Sequence, residues 1–353
     1  MYKSIQGCRA IAALLVVLHH LGTALSSERY FGVAQFAAPF RFGDSGVEFF
    51  FVLSGFIITW AHVADFGKPG NVFTYLRKRI VRIYPTYLIV FVAVYALALV
   101  APATRADIPH DLVTILKSLA LVPQEGAPVL VVAWTLQYEV SFYAIFAAFI
   151  VNRYLGAAIM VALLINLVRC HSGVCTFPGT FFANHLFALF GIGVVVAWAG
   201  RTRVRLPRPS LMAIVSACGF LAFAVVEGVL GQNRIPVDRR LVYGIFSAVL
   251  IFALIRAEAS GELRIRNRWL PLLGDSSYAL YLIHYPLISI LCKGLVFMGL
   301  AGVTGAAVAF PVILCCCVLA AVAFHLRVEK PLLRALATKS HPPGIGYCAS
   351  GLG

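Results

Sequence analysis

Residues 7 to 22 read Gly-Cys-Arg-Ala-Ile-Ala-Ala-Leu-Leu-Val-Val-Leu-His-His-Leu-Gly, an apolar run that carries Arg9 near its start and His19 and His20 deep inside it. The run predicts a membrane-spanning helix. At 100° per residue, Arg9 and His20 share one helix face roughly 16 Å apart, whereas His19 is turned roughly 80° away. Ionisable groups inside an apolar span usually face a bundle interior and mark a functional pathway. The simpler interpretation is that Arg9 extends to the membrane surface while His20 bonds to a neighbouring helix.

Composition alone decides the broad class of the chain. Hydrophobic residues make up 61% of the 353 positions, charged residues make up 12%, and the mean hydropathy is +0.90. Such a composition excludes a water-soluble globular protein of this length. We therefore predict an all-α, polytopic membrane helix bundle with about ten transmembrane helices.

Apolar segments long enough, or nearly long enough, to cross a bilayer recur along the sequence. They lie near residues 8–25, 46–64, 85–103, 128–150, 155–168, 182–199, 211–230, 241–256, 272–292 and 301–326. A further apolar patch at 112–122 is interrupted by Lys117 and followed by Pro123, so we interpret it as an interfacial or re-entrant piece of an outer loop. If that patch spans the membrane, the orientation of all later helices is reversed.

The distribution of positive charge predicts the orientation of the chain. With ten spans and both termini in the cytoplasm, twenty of the 29 Lys and Arg residues lie on the inner side and nine on the outer side. This is the bias expected of cytoplasmic loops. The net charge of +15 is then mainly a topology signal and an attraction to anionic lipid, and we predict no nucleic-acid partner.

The remaining features concern the chain ends and the cysteines. The first helix resembles a signal peptide, but no convincing cleavage site follows it, so we predict that it is retained. We expect a membrane domain over residues 1–335 and a disordered tail over 336–353, which is rich in Gly and Pro. The nine cysteines show no metal-binding spacing, and no metal is predicted. Cys170 and Cys175 share a short outer loop, where either a disulfide or two free thiols is expected.

Six short blocks of sequence occur in a fixed order. The first is Arg9 followed after ten residues by His20, and the last is Glu329-Lys330-Pro331. Those between them are Gly46-Val47-Glu48-Phe49-Phe50-Phe51-Val52-Leu53-Ser54-Gly55-Phe56, Lys78-Arg79-Ile80-Val81-Arg82-Ile83-Tyr84-Pro85, Trp134-Thr135-Leu136-Gln137-Tyr138-Glu139-Val140-Ser141-Phe142-Tyr143 and Ser277-Tyr278-Ala279-Leu280-Tyr281-Leu282-Ile283-His284-Tyr285-Pro286. Together they resemble the acyltransferase 3 family of integral membrane enzymes. The opening Ser4-Ile5-Gln6 is most similar to the branch that acts in exopolysaccharide production.

The resemblance implies an O-acyltransferase of the bacterial inner membrane. The family's donor is an acyl-coenzyme A (acyl-CoA), here expected to be acetyl-CoA, with its phosphates and adenine in the cytoplasm beside Arg79, Arg82 and Arg9. The expected acceptors are hydroxyls of a surface or exported polysaccharide or of its lipid-linked precursor. Membrane lipid and the machinery of polysaccharide synthesis or export are the expected partners.

Helix geometry predicts that polar residues from four helices meet at one depth. Counting about 1.5 Å per residue from the expected membrane surfaces, we place these residues in one plane of a hydrocarbon core about 30 Å thick. They are His20, Ser54, Gly55, Glu139 and His284. Glu48 is expected above them, toward the outside.

The candidate catalytic residues are His20, Glu48, His284, Glu139 and Ser54. A neutral His20 would take the proton of an acceptor hydroxyl as it attacks the thioester. Gly55 would allow backbone N–H groups or Ser54 to approach a developing oxyanion. His284 is a second catalytic group, an orienter of His20 or a packed core histidine, and Glu139 is a catalytic group or a helix anchor. One-step transfer, a covalent acyl-His20 intermediate and a relay through His284 all remain open.

Two rival functions are considered. One is a polysaccharide exporter or flippase component without chemistry. Such transporters usually show internal repeats with interrupted helices at matching positions, and this sequence shows no such repeat. The other is an acyltransferase that acts on a small molecule or a lipid headgroup.

Overall fold

A computed structural model describes residues 2–100, 108–173, 175–202, 206–231, 237–267 and 269–338. Within these ranges the regular secondary structure is helical and no strand occurs. Ten helical stretches in the same ranges are long and apolar enough to cross a membrane. The predicted class, an all-α polytopic membrane protein, is therefore confirmed. The cytoplasmic location of both termini remains a prediction.

The described ranges contain fourteen α-helices. In chain order they are α1 (Lys3–Ser26), α2 (Gly46–His62), α3 (Val72–Val100), α4 (Leu112–Ala120), α5 (Trp134–Val151), α6 (Arg153–His171), α7 (Gly179–Phe182), α8 (His185–Arg201), α9 (Pro209–Leu230), α10 (Arg239–Ala259), α11 (Trp269–Asp275), α12 (Ser277–Phe297), α13 (Gly302–Phe324) and α14 (Lys330–Thr338). A π-helical turn, His325–Glu329, joins α13 to α14. With nine residues, α4 rises only about 14 Å and is too short to cross the hydrocarbon core.

Helix α1 lies between two hydrophobic clusters. Its residues Ile5 and Ala12 belong to a cluster built mainly from α2, α3, α5, α8 and α10. Its residues Val17 and Leu21 belong to a second cluster shared with α12 and α13. Because α1 contributes to both clusters, the helix that carries Arg9 and His20 is central in the bundle. By contrast, α6 is almost entirely exposed, which in a bilayer places it against lipid.

Helix α2 begins well below the outer end of α1. A 3₁₀ segment, Ala38–Ser45, first runs back alongside α1. As a result, the Cα of Gly46 packs so closely on α1 that an added Cβ would lie 2.3 Å from the Ala12 carbonyl oxygen. The depths predicted for α2 were counted from Gly46 as its outer end at the membrane surface. That starting point is wrong, and every residue of α2 lies lower beside α1 than the count gives.

Two sequence expectations concern the end of the chain and the outer loop. The predicted disordered tail lies outside the described residues from 339 onward, and α14 extends to Thr338. Cys170 and Cys175 are joined as a disulfide, the first of the two alternatives.

Candidate active site

His20 and His284 meet where α1 packs against α12. The distance from His20 Nδ1 to His284 Nε2 is 3.1 Å, and the two ring centroids are 5.0 Å apart. The side chain of His284 is fully buried and that of His20 is half-buried. The structure therefore brings together two of the predicted catalytic residues from helices 264 positions apart in the chain.

Backbone carbonyls fix the protons on both rings. His284 Nδ1 lies 3.0 Å from the Leu280 carbonyl oxygen, and His20 Nδ1 lies 3.0 Å from that of Val16. A carbonyl only accepts hydrogen bonds, so each Nδ1 carries the proton. In a neutral His284 ring the Nε2 is then an acceptor, which receives the Nδ1–H of His20. His20 Nε2 is left with an unshared lone pair, as a general base requires.

His19 is directed elsewhere. Its Nδ1 lies 3.3 Å from the Phe40 carbonyl oxygen and 3.1 Å from that of Arg41, both in the 3₁₀ segment that precedes α2. The two adjacent histidines thus point to different neighbours, as the helix phase predicts.

Ser54 and Glu139 form a second pair at a different depth. The Ser54 hydroxyl donates to Glu139 Oε1 over 3.2 Å, and the Tyr143 hydroxyl donates to the same oxygen over 2.6 Å. Arg79 lies over the Tyr143 ring, 5.7 Å from its centroid. The pair is thus level with the arginines rather than with His20, because α2 starts low beside α1. The prediction of a single plane of polar residues is therefore wrong.

Gly55 and Glu48 face away from both pairs. A Cβ on Gly55 would lie 2.1 Å from the Phe190 carbonyl oxygen, so this glycine allows close packing of α2 on α8 and does not line an oxyanion site. Glu48 lies two residues after Gly46, about 200° around the helix, and thus on the side opposite α1. Its Oε1 is 3.8 Å from Arg240 Nε at the start of α10, and its Oε2 is buried without a hydrogen-bond partner among the described residues.

A cavity of about 490 Å³ lies between α1, α2, α3, α5 and α12. Arg9, Arg79 and Arg82 line one region of it, together with Lys330. The Nε atom of Arg79 is buried and has no hydrogen-bond partner among the described residues. Apolar side chains cover most of the remaining wall, and Ser54 and Glu139 line it as well. These apolar residues include Phe51, Leu53, Ile57, Leu136 and Phe142.

Tyr281 closes the cavity toward the histidine pair. Its hydroxyl bonds to Thr135 Oγ1 over 2.7 Å and to the Val132 carbonyl oxygen over 2.8 Å. Its ring centroid is 5.9 Å from that of His284. Phe50 also lines the cavity, and it packs against both hydrophobic clusters. The cavity therefore reaches the neighbourhood of His284 without including either histidine in its wall.

Several lining residues were missed as site residues at the sequence level. Arg9 bonds across to α12 through Ser277, whose Oγ accepts from Nη2 over 3.0 Å. His325 lines the cavity and bonds Glu329, four residues later. Ser277 and Glu329 both occur in the sequence blocks. His325 could have been found from its spacing of four residues from Glu329, which places the two side chains on one helix face. Among the described residues no group of three or more His, Cys, Asp and Glu side chains is placed to bind a metal ion.

The structure thus places a histidine pair near a cavity lined by arginines, inside a multi-pass helical bundle. The family model described as an acyltransferase domain matches residues 2–324, and the chain belongs to this acyltransferase 3 family. The protein is accordingly a multi-pass membrane acyltransferase that transfers groups other than aminoacyl groups. The family resemblance of the sequence blocks is confirmed.

Three relatives resemble most of the chain. The exopolysaccharide production protein ExoZ of Rhizobium meliloti (strain 1021) is 32% identical over 307 residues, covering 84% of this chain and 91% of the relative. The acyltransferase MdmB of Streptomyces mycarofaciens is 26% identical and covers 81% of this chain and 78% of its own. The candidate peptidoglycan O-acetyltransferase YrhL of Bacillus subtilis (strain 168) is 26% identical and covers 80% and 48%, respectively. No solved structure matches the chain.

Proposed function

We propose that this protein is an inner-membrane O-acyltransferase that moves an acetyl group from cytoplasmic acetyl-CoA to hydroxyls of an exported polysaccharide or its lipid-linked precursor. The observation that carries the proposal is the cavity that extends from Arg9, Arg79 and Arg82 to the neighbourhood of the His20 and His284 pair. The similarity to an exopolysaccharide production protein supports the class of acceptor. Components of polysaccharide synthesis or export are the proposed partners.

The cavity residues fit a coenzyme A thioester. Guanidinium groups bind phosphate through a planar fork of N–H donors, and the buried Nε of Arg79 still lacks an acceptor. The apolar walls suit the narrow pantetheine arm, and the volume lies within the range of small-molecule sites. A displacement of Phe50, which is only half-buried, would open the cavity to the histidines.

His20 performs the proton transfer in this proposal. Its Nε2 removes the proton of the acceptor hydroxyl while the hydroxyl oxygen bonds to the acyl carbon. The carbon–sulfur bond breaks, its electron pair leaves with the coenzyme A sulfur, and the imidazolium returns the proton to that thiolate. His284 orients His20. A relay through His284 is disfavoured because its Nδ1–H is held by the Leu280 carbonyl, which cannot take up a proton.

The other predicted residues have supporting roles in the proposal. Glu139 holds Ser54 and Tyr143 on the wall beside the donor arm. The Ser54 proton is used in that contact, so Ser54 positions the donor and does not stabilise an oxyanion beside His20. Glu48 joins α2 to α10 through Arg240.

Mass spectrometry of surface polysaccharide tests the proposal. Cells that lack the gene should lose an acetyl group from the polymer, and a plasmid copy should restore it. A His20→Asn copy, present in the membrane at the same level, should fail to restore it. Unchanged acetylation would refute the polysaccharide acceptor and leave a small molecule or a lipid headgroup as the substrate.

A labelling experiment distinguishes direct transfer from a covalent intermediate. Purified protein is incubated with acetyl-CoA that is radioactive in the acetyl group, without acceptor. Direct transfer leaves the protein unlabelled, whereas an acyl-His20 intermediate would place label on the protein that the His20→Asn variant lacks.

A further inference from the structure

One histidine lines the donor cavity itself, and the proposed chemistry does not use it. His325 lines the cavity, and its Nδ1 lies 2.7 Å from Glu329 Oε2. The exposed fraction is 7% for His325 and 0% for Glu329. The second oxygen of Glu329, Oε1, is buried without a hydrogen-bond partner among the described residues. A buried carboxylate thus holds one nitrogen of an imidazole that lines the cavity.

The backbone at this pair is unusual. Residues His325–Glu329 form a π-helical turn, in which the Lys330 N–H bonds to the His325 carbonyl five residues earlier. Single π-turns inside α-helices are rare and frequent at functional sites. Here the turn connects a spanning helix to α14 and places His325 and Lys330 on the wall of the same cavity.

The charges around the pair favour an anionic ligand. Arg9, Arg82 and Lys330 line the cavity with His325. Of the acidic residues in the lining, Asp275 accepts from the Gln6 side chain over 2.5 Å, and Glu139 accepts from two hydroxyls. Both acidic side chains of the lining are thus already hydrogen-bonded within the protein, and the cations of the cavity wall outnumber them.

The depth of this region matches one part of a coenzyme A thioester. Arg9 lies roughly 16 Å below His20 along α1. The arm between the thioester and the pyrophosphate consists of roughly four residue-sized units, so its extended reach is about 14 Å. A thioester held at His20 therefore brings its pyrophosphate to the level of Arg9, where the cavity is lined by cations and His325.

We propose that the His325 and Glu329 pair is a phosphate-binding element of the donor cavity. Glu329 holds Nδ1, and Nε2 donates a hydrogen bond to the pyrophosphate of the coenzyme A thioester. An imidazole that bridges a carboxylate and a phosphate donates from both nitrogens and carries a positive charge. This assignment rests on the proposed donor. It adds a phosphate-binding residue to the arginines that line the cavity.

Two substitutions of His325 separate the role of Nε2, which is proposed to bind phosphate, from that of Nδ1, which bonds Glu329. In His325→Asn the amide nitrogen takes the place of Nδ1 and keeps the bond to Glu329, but nothing replaces Nε2. In His325→Gln the amide reaches the position of Nε2 and keeps a neutral donor toward the cavity. His62→Asn is the matched control, because His62 is also 7% exposed, bonds Asp65 over 2.8 Å and does not line the cavity.

Binding to the full chain in lipid nanodiscs is measured by calorimetry with coenzyme A and with pantetheine, which lacks the phosphates. We expect His325→Asn to weaken coenzyme A binding about 10- to 100-fold, the range for a hydrogen bond to a charged group. Pantetheine affinity should be unchanged, His325→Gln should recover part of the loss, and His62→Asn should bind like the wild type.

Other results would overturn the assignment. Equal coenzyme A affinity of His325→Asn and wild type would remove His325 from the site. An equal loss for coenzyme A and pantetheine would mean that His325 only supports the cavity wall. A wild-type protein that binds no coenzyme A would refute the proposed donor itself. This outcome is distinct from the two results that concern only His325.

Discussion

At the scale of single residues, His20 differs from its neighbour by what its ring nitrogens contact. His20 has one nitrogen committed to α1 and His284 and one with an unshared lone pair, whereas His19 Nδ1 faces the carbonyls of Phe40 and Arg41. Two identical side chains in sequence thus provide a catalytic candidate and its control.

We expect His20→Asn to lower the acyl transfer rate by about 10²- to 10⁴-fold, the usual contribution of a positioned base. Asn can still bond the Val16 carbonyl, so packing and insertion should persist. The rate is measured as coenzyme A release by purified protein, with His19→Asn as the control. An active His20→Asn enzyme would remove His20 as the base and leave His284 as the next candidate.

His284 should act through His20, as a positioning residue. In His284→Gln the side-chain carbonyl can replace Nε2 as the acceptor and hold the His20 ring in place, whereas in His284→Leu only the Val16 carbonyl still holds that ring. We expect a drop in kcat of about 10- to 100-fold for Leu, the range for partners that orient a functional histidine, and partial rescue by Gln. The KM for acetyl-CoA should stay constant, and a Gln variant no better than Leu would contradict a positioning role for this contact.

The sequence predicted that His19 and His20 point to different neighbours, because helix phase depends only on residue count. It could not predict that His20 Nδ1 also contacts His284. That contact depends on a helix distant in the chain, whose own histidine is held by the Leu280 carbonyl.

At the scale of helices, α3 presents two of its arginines to the cavity. Arg79 and Arg82 are three residues apart, share a helix face and line the wall, whereas Arg77 does not. Tyr143 and Tyr278 lie against their guanidinium groups. Two cations of this segment therefore line the cavity.

Replacement of both Arg79 and Arg82 by Lys should weaken acetyl-CoA binding by about tenfold or more, because lysine keeps the charge and loses the fork of donors. Arg77→Lys is the control and should bind normally. Calorimetry on the nanodisc protein measures the effect. Unchanged binding by the double variant would reduce the cluster to a topology signal.

The packing of α2 on α8 predicts a contrast between two glycines. A Cβ at Gly193 would lie 2.0 Å from the Val52 carbonyl oxygen, whereas a Cβ at Gly191 would meet nothing within 4 Å. We expect Gly193→Ala to destabilise the protein by about 1–3 kcal/mol or more, the cost of overpacking, and Gly191→Ala to be neutral or slightly stabilising. Thermal unfolding in detergent measures both, and similar midpoints would contradict the close approach of the helices.

Element positions along the chain were predictable, and their depths were not. All ten apolar segments correspond to spanning helices, since burial in lipid demands long apolar runs. The depth of Ser54 was misjudged because the 3₁₀ segment Ala38–Ser45 contains both apolar and charged residues, so hydropathy does not show that it descends beside α1.

At the scale of the whole molecule, the orientation in the membrane remains a prediction from charge. Twenty of 29 Lys and Arg residues lie on the side assigned to the cytoplasm. The same orientation places the arginines of the cavity where a cytoplasmic donor would arrive.

Reporter fusions test this orientation. A reporter fused after Gly173, in the loop after α6, should be active outside the cytoplasm, and one fused after Arg208 should be active inside. Fusion sites in the connections between spans leave the preceding helices intact. The reverse pattern would invert the membrane orientation and remove the cytoplasmic route for the donor.

Helix α1 carries both Arg9 and His20 without interruption from Lys3 to Ser26. The eleven helical steps from Arg9 to His20 therefore fix both the distance between the two side chains along the helix axis and the angle between them around it. One residue inserted between them would raise His20 by about 1.5 Å and swing it by about 100°. Side chains along this stretch can change one at a time, but their number cannot, so α1 is constrained more strongly in its length than in its composition.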